Sequence, residues 1–192
     1  MELFKADDAS LMLLDEMPKD NMRPQRTLAA RILASAYRCM GQYEKAHDAL
    51  QKAFKTVDEQ NSSEYASLLA SNGILALYRG FMDEALHYEA RLLALDDASL
   101  TDATRNGVIT LRGLIAAERG QLGDALLFYQ QVLKYNSEHN FIYYMIKDLF
   151  NIARVYMDLC SYERALLIFD EADALLRKHR GHHPLIYAYR GL

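Results

Sequence analysis

Along this chain, segments in which apolar residues recur at three- and four-residue steps alternate with short polar links. That period predicts amphipathic helices, arranged in consecutive pairs. First helices are expected over 24–40, 62–79, 101–119 and 140–159, and second helices over 43–57, 82–96, 122–136 and 162–179. Pro24 and Pro184 suit the first turn of a helix, where a missing N–H removes no hydrogen bond. Asn61 with Glu64, and Ser99 with Asp102, suit N-terminal caps. The links DEQNSS, DDASLTD and NSEHN are polar, and none reads as an interdomain linker.

The helix pairs are copies of one another. The turn inside each pair falls at Gly41, Gly80, Gly120 and Cys160, at intervals of 39, 40 and 40 residues. Five residues later stand Ala46, Ala85, Ala125 and Ala165; seven residues before the turn stand Ala34, Gly73, Gly113 and Ala153. The second residue after the turn is Tyr43, Met82, Leu122 or Tyr162, always large. Small residues in mid-helix let two backbones approach where the helices of a pair cross, and the large residue fills the wedge beside the turn. Glycine at the turn supplies the positive φ that ends many helices. A single pair cannot bury its apolar face, so successive pairs must stack.

The run Ala34–Tyr37–Gly41–Tyr43–Ala46, and again Ala153–Tyr156–Cys160–Tyr162–Ala165 with Phe169 and Ala172 beyond it, resembles the tetratricopeptide repeat family. The resemblance extends from about Pro24 to His179. The period is about forty residues instead of the family's usual 34. The closing proline is replaced by Asp58, Asp97, Ser137 and Arg177, Glu89 stands where an aromatic is usual, and Ala76 and Ala116 stand where the outer repeats have tyrosine. Longer helices account for the extra residues, as in repeats of bacterial regulators similar to the maltose-regulon activator. The resemblance implies an all-α fold: a right-handed superhelical solenoid of antiparallel helix pairs. It would hold about four full repeats, 24–59, 62–98, 101–138 and 140–179, in one helical-repeat domain.

Stepping the register back from Ala46 lands on Ala6, so 1–20 reads as half a repeat, and 184–192 reads as the start of a further first helix. With half repeats at both ends, the chain is expected to be part of a longer protein, with its apolar end helices open to self-association.

Composition narrows the function by exclusion. A net charge of −4 with scattered Lys and Arg lacks the basic stripe of a nucleic-acid binder. No apolar run reaches the roughly 20 residues of a membrane span, and the acidic start MELFKADD lacks a signal peptide's basic segment. A cytoplasmic location follows as the expectation. Cys39 and Cys160 have no disulfide or zinc spacing and are expected to be buried free thiols. Neither a phosphate loop nor a paired-histidine metal motif occurs. His179, His182 and His183 have no Cys or carboxylate to complete a ligand set. The paired carboxylates Asp7–Asp8, Asp15–Glu16 and Asp96–Asp97 point apart on helix ends. The expectation is a protein without a catalytic site, metal or cofactor.

Binding is the remaining class. If Ala30, Leu33, Ala34 and Tyr37 face neighbouring helices, periodicity puts Arg31, Ser35 and Arg38 on the other side of the first helix. The corresponding rows carry Ile74, Leu77 and Tyr78, then Leu114 and Glu118, then Phe150, Arg154 and Met157. In the family this row lines a concave groove, which implies an apolar strip with cations at both ends for a protein or peptide partner, most simply an amphipathic helix. The family's asparagine row for gripping a peptide carboxylate is not matched: Ile32, Ser71 and Leu111 stand there, and only Asn151 fits. The alternative is a structural spacer or self-association element of a larger signalling or transcription protein.

Overall fold

The structure, a computed structural model, describes residues 23–57, 62–96 and 100–179. Among these residues every regular element is an α-helix. The helices are α1 (Arg23–Cys39), α2 (Tyr43–Phe54), α3 (Ser62–Tyr78), α4 (Met82–Leu93), α5 (Asp102–Glu118), α6 (Leu122–Glu138), α7 (Ile142–Asp158) and α8 (Tyr162–Lys178). Helix α1 packs on α2, α3 on α4 and α7 on α8, the consecutive pairing expected of a helical repeat. The half repeat at 1–20 and the helix start at 184–192, with His182 and His183, lie outside the described residues.

The chain forms two compact units, one reaching Val108 and the other beginning at Ile109, so the division falls within α5. In the first unit Ala30, Ala34, Tyr37, Ala46, Leu50 and Leu68 form a core, and Tyr43 packs against it. Arg91 crosses this unit from α4, donating a hydrogen bond to the Tyr65 hydroxyl while lying against the Phe54 ring. In the second unit Ile146, Leu149, Phe150, Ala172 and Leu176 join α7 to α8.

All eight small residues of the repeat register are buried. At Gly113 the tightness is explicit: a methyl there would lie 2.8 Å from Cε1 of Tyr129 and 3.2 Å from Cβ of Phe128, both on α6. The wedge residue behaves less uniformly. Tyr43, Met82 and Leu122 are half-buried, but Tyr162 is exposed.

The turns explain why the register is so strict. Gly41, Gly80, Gly120 and Cys160 all have positive φ, between 55° and 80°. At each, the following residue's N–H reaches back to the carbonyl five residues earlier: Gln42 to Tyr37 at 2.8 Å, Phe81 to Ala76 at 2.9 Å, Gln121 to Ala116 at 2.9 Å, Ser161 to Tyr156 at 2.8 Å. The turn residue itself donates to the carbonyl three back, as Gly41 does to Arg38. Two orphan carbonyls of the ending helix are thus satisfied at once. The same residue after the turn starts the next helix, its carbonyl accepting from Ala46, Ala85, Ala125 or Ala165. A fifth copy of this turn lies between α6 and α7, where Asn140 has φ 53° and Phe141 N–H donates to Asn136 O at 2.9 Å.

Several local expectations are corrected. Helices α2 and α4 end three residues early. In α2 the Thr56 hydroxyl and N–H both donate to Ala53 O, at 2.8 and 3.0 Å, and turn the chain out of the helix. Thr101 caps α5: its Oγ1 accepts from the Thr104 N–H at 3.3 Å and its carbonyl from the Arg105 N–H at 2.9 Å, while the expected cap Ser99 lies outside the described residues. Both cysteines are exposed, Cys39 at the end of α1 and Cys160 in its turn, where a left-handed residue points outward.

One buried carboxylate stands out in the second unit. Asp148 of α7 is buried and accepts a hydrogen bond from Asn136 Nδ2 of α6 at 2.6 Å. Burial pushes its carboxyl up to about 6, against the opposing pull of that hydrogen bond and of Lys147.

Candidate functional site

A row on a helix repeats every three or four residues, and a repeat protein sets such rows side by side at the repeat step. In the first unit that step is visible as contact. Arg31 Nε of α1 donates to Ser71 Oγ of α3 at 3.3 Å, forty residues on. Arg38 places its guanidinium carbon 4.2 Å from the centre of the Tyr78 ring, again forty residues on. The two first helices are therefore bridged twice on one side, and the bridges hold both cations at the seam between α1 and α3.

Beside this seam α1 presents Leu28 and Ile32, 52% and 59% exposed, one helical turn apart. On α3 Ile74, Leu77 and Tyr78 are half-buried, each keeping part of its surface open. The face thus combines aliphatic side chains, one aromatic ring and two guanidinium groups. It suits an apolar segment with acidic flanks: guanidinium forks pair with carboxylates, and aliphatic surface takes apolar anchors. Ser67 and Ala70, earlier on α3, are buried.

The row in the second unit is reduced. Leu114 and Phe150 are 3% and 7% exposed, so both are packing residues and a partner cannot reach them. Phe150 is covered by Phe169 of α8, ring centres 5.6 Å apart. Their apolar character at mid-helix marks core as readily as groove, which is why the pattern alone misplaced them. Glu118 and Arg154 approach within 3.7 Å and partly neutralise each other at the surface. Of the apolar residues expected there, Met157 alone is exposed.

The structure therefore brings Arg31, Arg38, Ile74, Leu77 and Tyr78 onto one face of the first unit, and places Glu118, Arg154 and Met157 on the second. Leu28 and Ile32 were missed by the row assignment. Their signal was present: both are large aliphatics on the side of α1 away from Ala30, Ala34 and Tyr37. No helix of the described residues is long and apolar enough to cross a membrane.

Comparison with known proteins adds the fold. No protein-family model matches the chain, and no curated protein matches it. The crystal structure of BtubC (BKLC) from P. vanneervenii is similar, with a TM-score of 0.56 at 17% identity, over 95% of this chain and 76% of that one. A likeness at this identity concerns the path of the helices alone.

Proposed function

We propose that the chain is a protein-interaction module of the tetratricopeptide type, and that the α1–α3 face of its first unit holds a peptide or helix of a partner protein. The reading rests chiefly on the paired bridges Arg31–Ser71 and Arg38–Tyr78, which fix two first helices side by side while Leu28 and Ile32 stay exposed beside them. Exposed aliphatics next to ordered guanidinium groups favour an amphipathic partner whose acidic residues meet Arg31 and Arg38. The module acts in the cytoplasm as part of a regulatory or signalling protein, without chemistry of its own.

Site-directed photocrosslinking tests the face. A benzophenone amino acid at Ile32 or Leu77 should give a discrete adduct in cells that make the protein. The same probe at Leu93, exposed on α4, should give none. Adducts from Leu93 and none from Ile32 or Leu77 would move the site to the second helices.

Exposed Leu166 and Leu167 on α8 favour a second reading, self-association through the end of the second unit. Sedimentation velocity over a concentration series reads it directly: a Leu167→Glu change should abolish any dimer that forms.

A further inference from the structure

The turn between α6 and α7 carries a cluster of aromatic rings that the first-helix face does not use. Tyr135 and His139 stack with centres 4.1 Å apart, and His139 in turn lies 5.6 Å from Phe141 at an interplanar angle of 24°. Tyr144 meets Phe141 edge-on at 6.4 Å, and Tyr143 meets Tyr144 at 5.2 Å. Phe141 and Tyr144 are 43% and 47% exposed, and His139 is exposed as well. Rings of this size are normally buried, and a cluster of them in water marks a recognition surface.

The platform is held in shape by the turn beneath it. Asn140 in the left-handed region folds the chain so that His139 and Phe141 lie side by side. His139 Nδ1 donates to the Tyr135 carbonyl at 2.9 Å, fixing the imidazole plane. Asn136 anchors both sides: its carbonyl accepts from Phe141 N–H at 2.9 Å, and its amide donates to buried Asp148 at 2.6 Å. Little ordering remains to be done when a ligand arrives.

The identity of the ligand follows from how this chain treats its other rings. Tyr78 carries Arg38 at 4.2 Å, Phe81 carries Arg79 at 4.7 Å, Phe128 carries Arg112 at 4.8 Å, and Tyr156 carries Arg164 at 5.8 Å. Among the described residues no Arg or Lys lies over Phe141 or Tyr144, and Glu138, the last residue of α6 and three positions before Phe141, is exposed. Electron-rich ring faces on a turn that also carries an exposed carboxylate complement a cation. A guanidinium fits best, because it stacks flat on a ring while its N–H groups reach a carboxylate. We propose that this turn is a docking platform for an arginine-bearing peptide segment of a partner, stacked on Phe141 and Tyr144 and paired with Glu138.

Isothermal titration of the full chain at pH 8 and low salt tests this with four probes. These are a capped Gly/Ser peptide carrying two arginines, its citrulline counterpart, its lysine counterpart and a proline-rich peptide. The arginine peptide should bind best, with the citrulline form about tenfold weaker. Phe141→Leu with Tyr144→Leu keeps the apolar surface and removes the ring faces, so it should weaken the arginine peptide about tenfold. Equal binding of the arginine and citrulline peptides overturns the proposal, as does preference for the proline-rich peptide or no binding at all. Should the double variant lose its helical circular dichroism, Glu138→Gln serves instead. It should weaken the arginine peptide about threefold and leave the citrulline peptide unchanged; no change for either sinks the idea.

Discussion

Glycine occupies two kinds of helical position in α5, and alanine separates them. At Gly113 the added methyl would press on the fully buried ring of Tyr129 at 2.8 Å. Gly113→Ala is expected to cost about 1–3 kcal/mol. At Gly107 the methyl would meet only Ala70 Cβ, at an ordinary 3.8 Å. Gly107→Ala should therefore stabilise by about 0.5–1 kcal/mol, through helix propensity and a less flexible unfolded chain. Urea denaturation of the two variants side by side reads the difference; equal losses would contradict the tight crossing at Gly113. Cys160 poses the opposite question. It adopts φ 55° in a turn where its three counterparts are glycine, so Cys160→Gly should gain about 0.5–1 kcal/mol in the same assay. The turn register and its positive φ were legible in the sequence because four copies line up. Asn140 escaped notice because its turn lies between pairs, where link lengths differ and no alignment exposes it.

At the scale of elements, the buried pair Asn136–Asp148 ties α6 to α7. The folded carboxyl titrates near 6, above its ordinary 3.8, so the folded protein keeps a proton that the unfolded chain has already released. Its contribution to stability is complete below about pH 4 and is lost as pH rises through about 6. Asp148→Asn removes the titration and keeps an oxygen for Asn136. The stability of that variant relative to the wild type should climb between about pH 4 and pH 7, by about 1–3 kcal/mol. Denaturant midpoints at pH 4.5, 6 and 7.5 would show it, and parallel profiles would refute the assignment. Periodicity could not reveal this pair, because a polar residue on the apolar side of a helix is read as a break in the pattern. It could not settle helix ends either: α2 stops at Phe54 because the Thr56 hydroxyl competes for Ala53 O, a contact that sequence spacing does not encode.

For the whole molecule, the repeat register carried the all-α paired fold from sequence to structure. It did so because small crossing residues, wedge residues and turns must all agree in every copy. The candidate face was legible only in part. Sequence period tells which residues share a row, but not how deeply a neighbouring helix covers it. Hence Leu77 and Tyr78 keep open surface while Leu114 and Phe150 are sealed, the latter by Phe169. The contacts of Arg31 to Ser71 and of Arg38 to Tyr78 needed coordinates.

The α1–α3 face is the proposed binding face. Binding of the photocrosslinked partner to Leu77→Arg and Leu93→Arg, each checked by circular dichroism, tests it most directly. Both variants should keep the helical signal, with Leu77→Arg weakening the partner by about 30-fold or more, as loss of one hot spot would, and Leu93→Arg binding like the wild type. If Leu77→Arg unfolds, Ile32→Glu carries the same test from a position 59% exposed. Full binding by a folded Leu77→Arg or Ile32→Glu variant, with loss in Leu93→Arg, would overturn the proposed face and place the partner on the second helices.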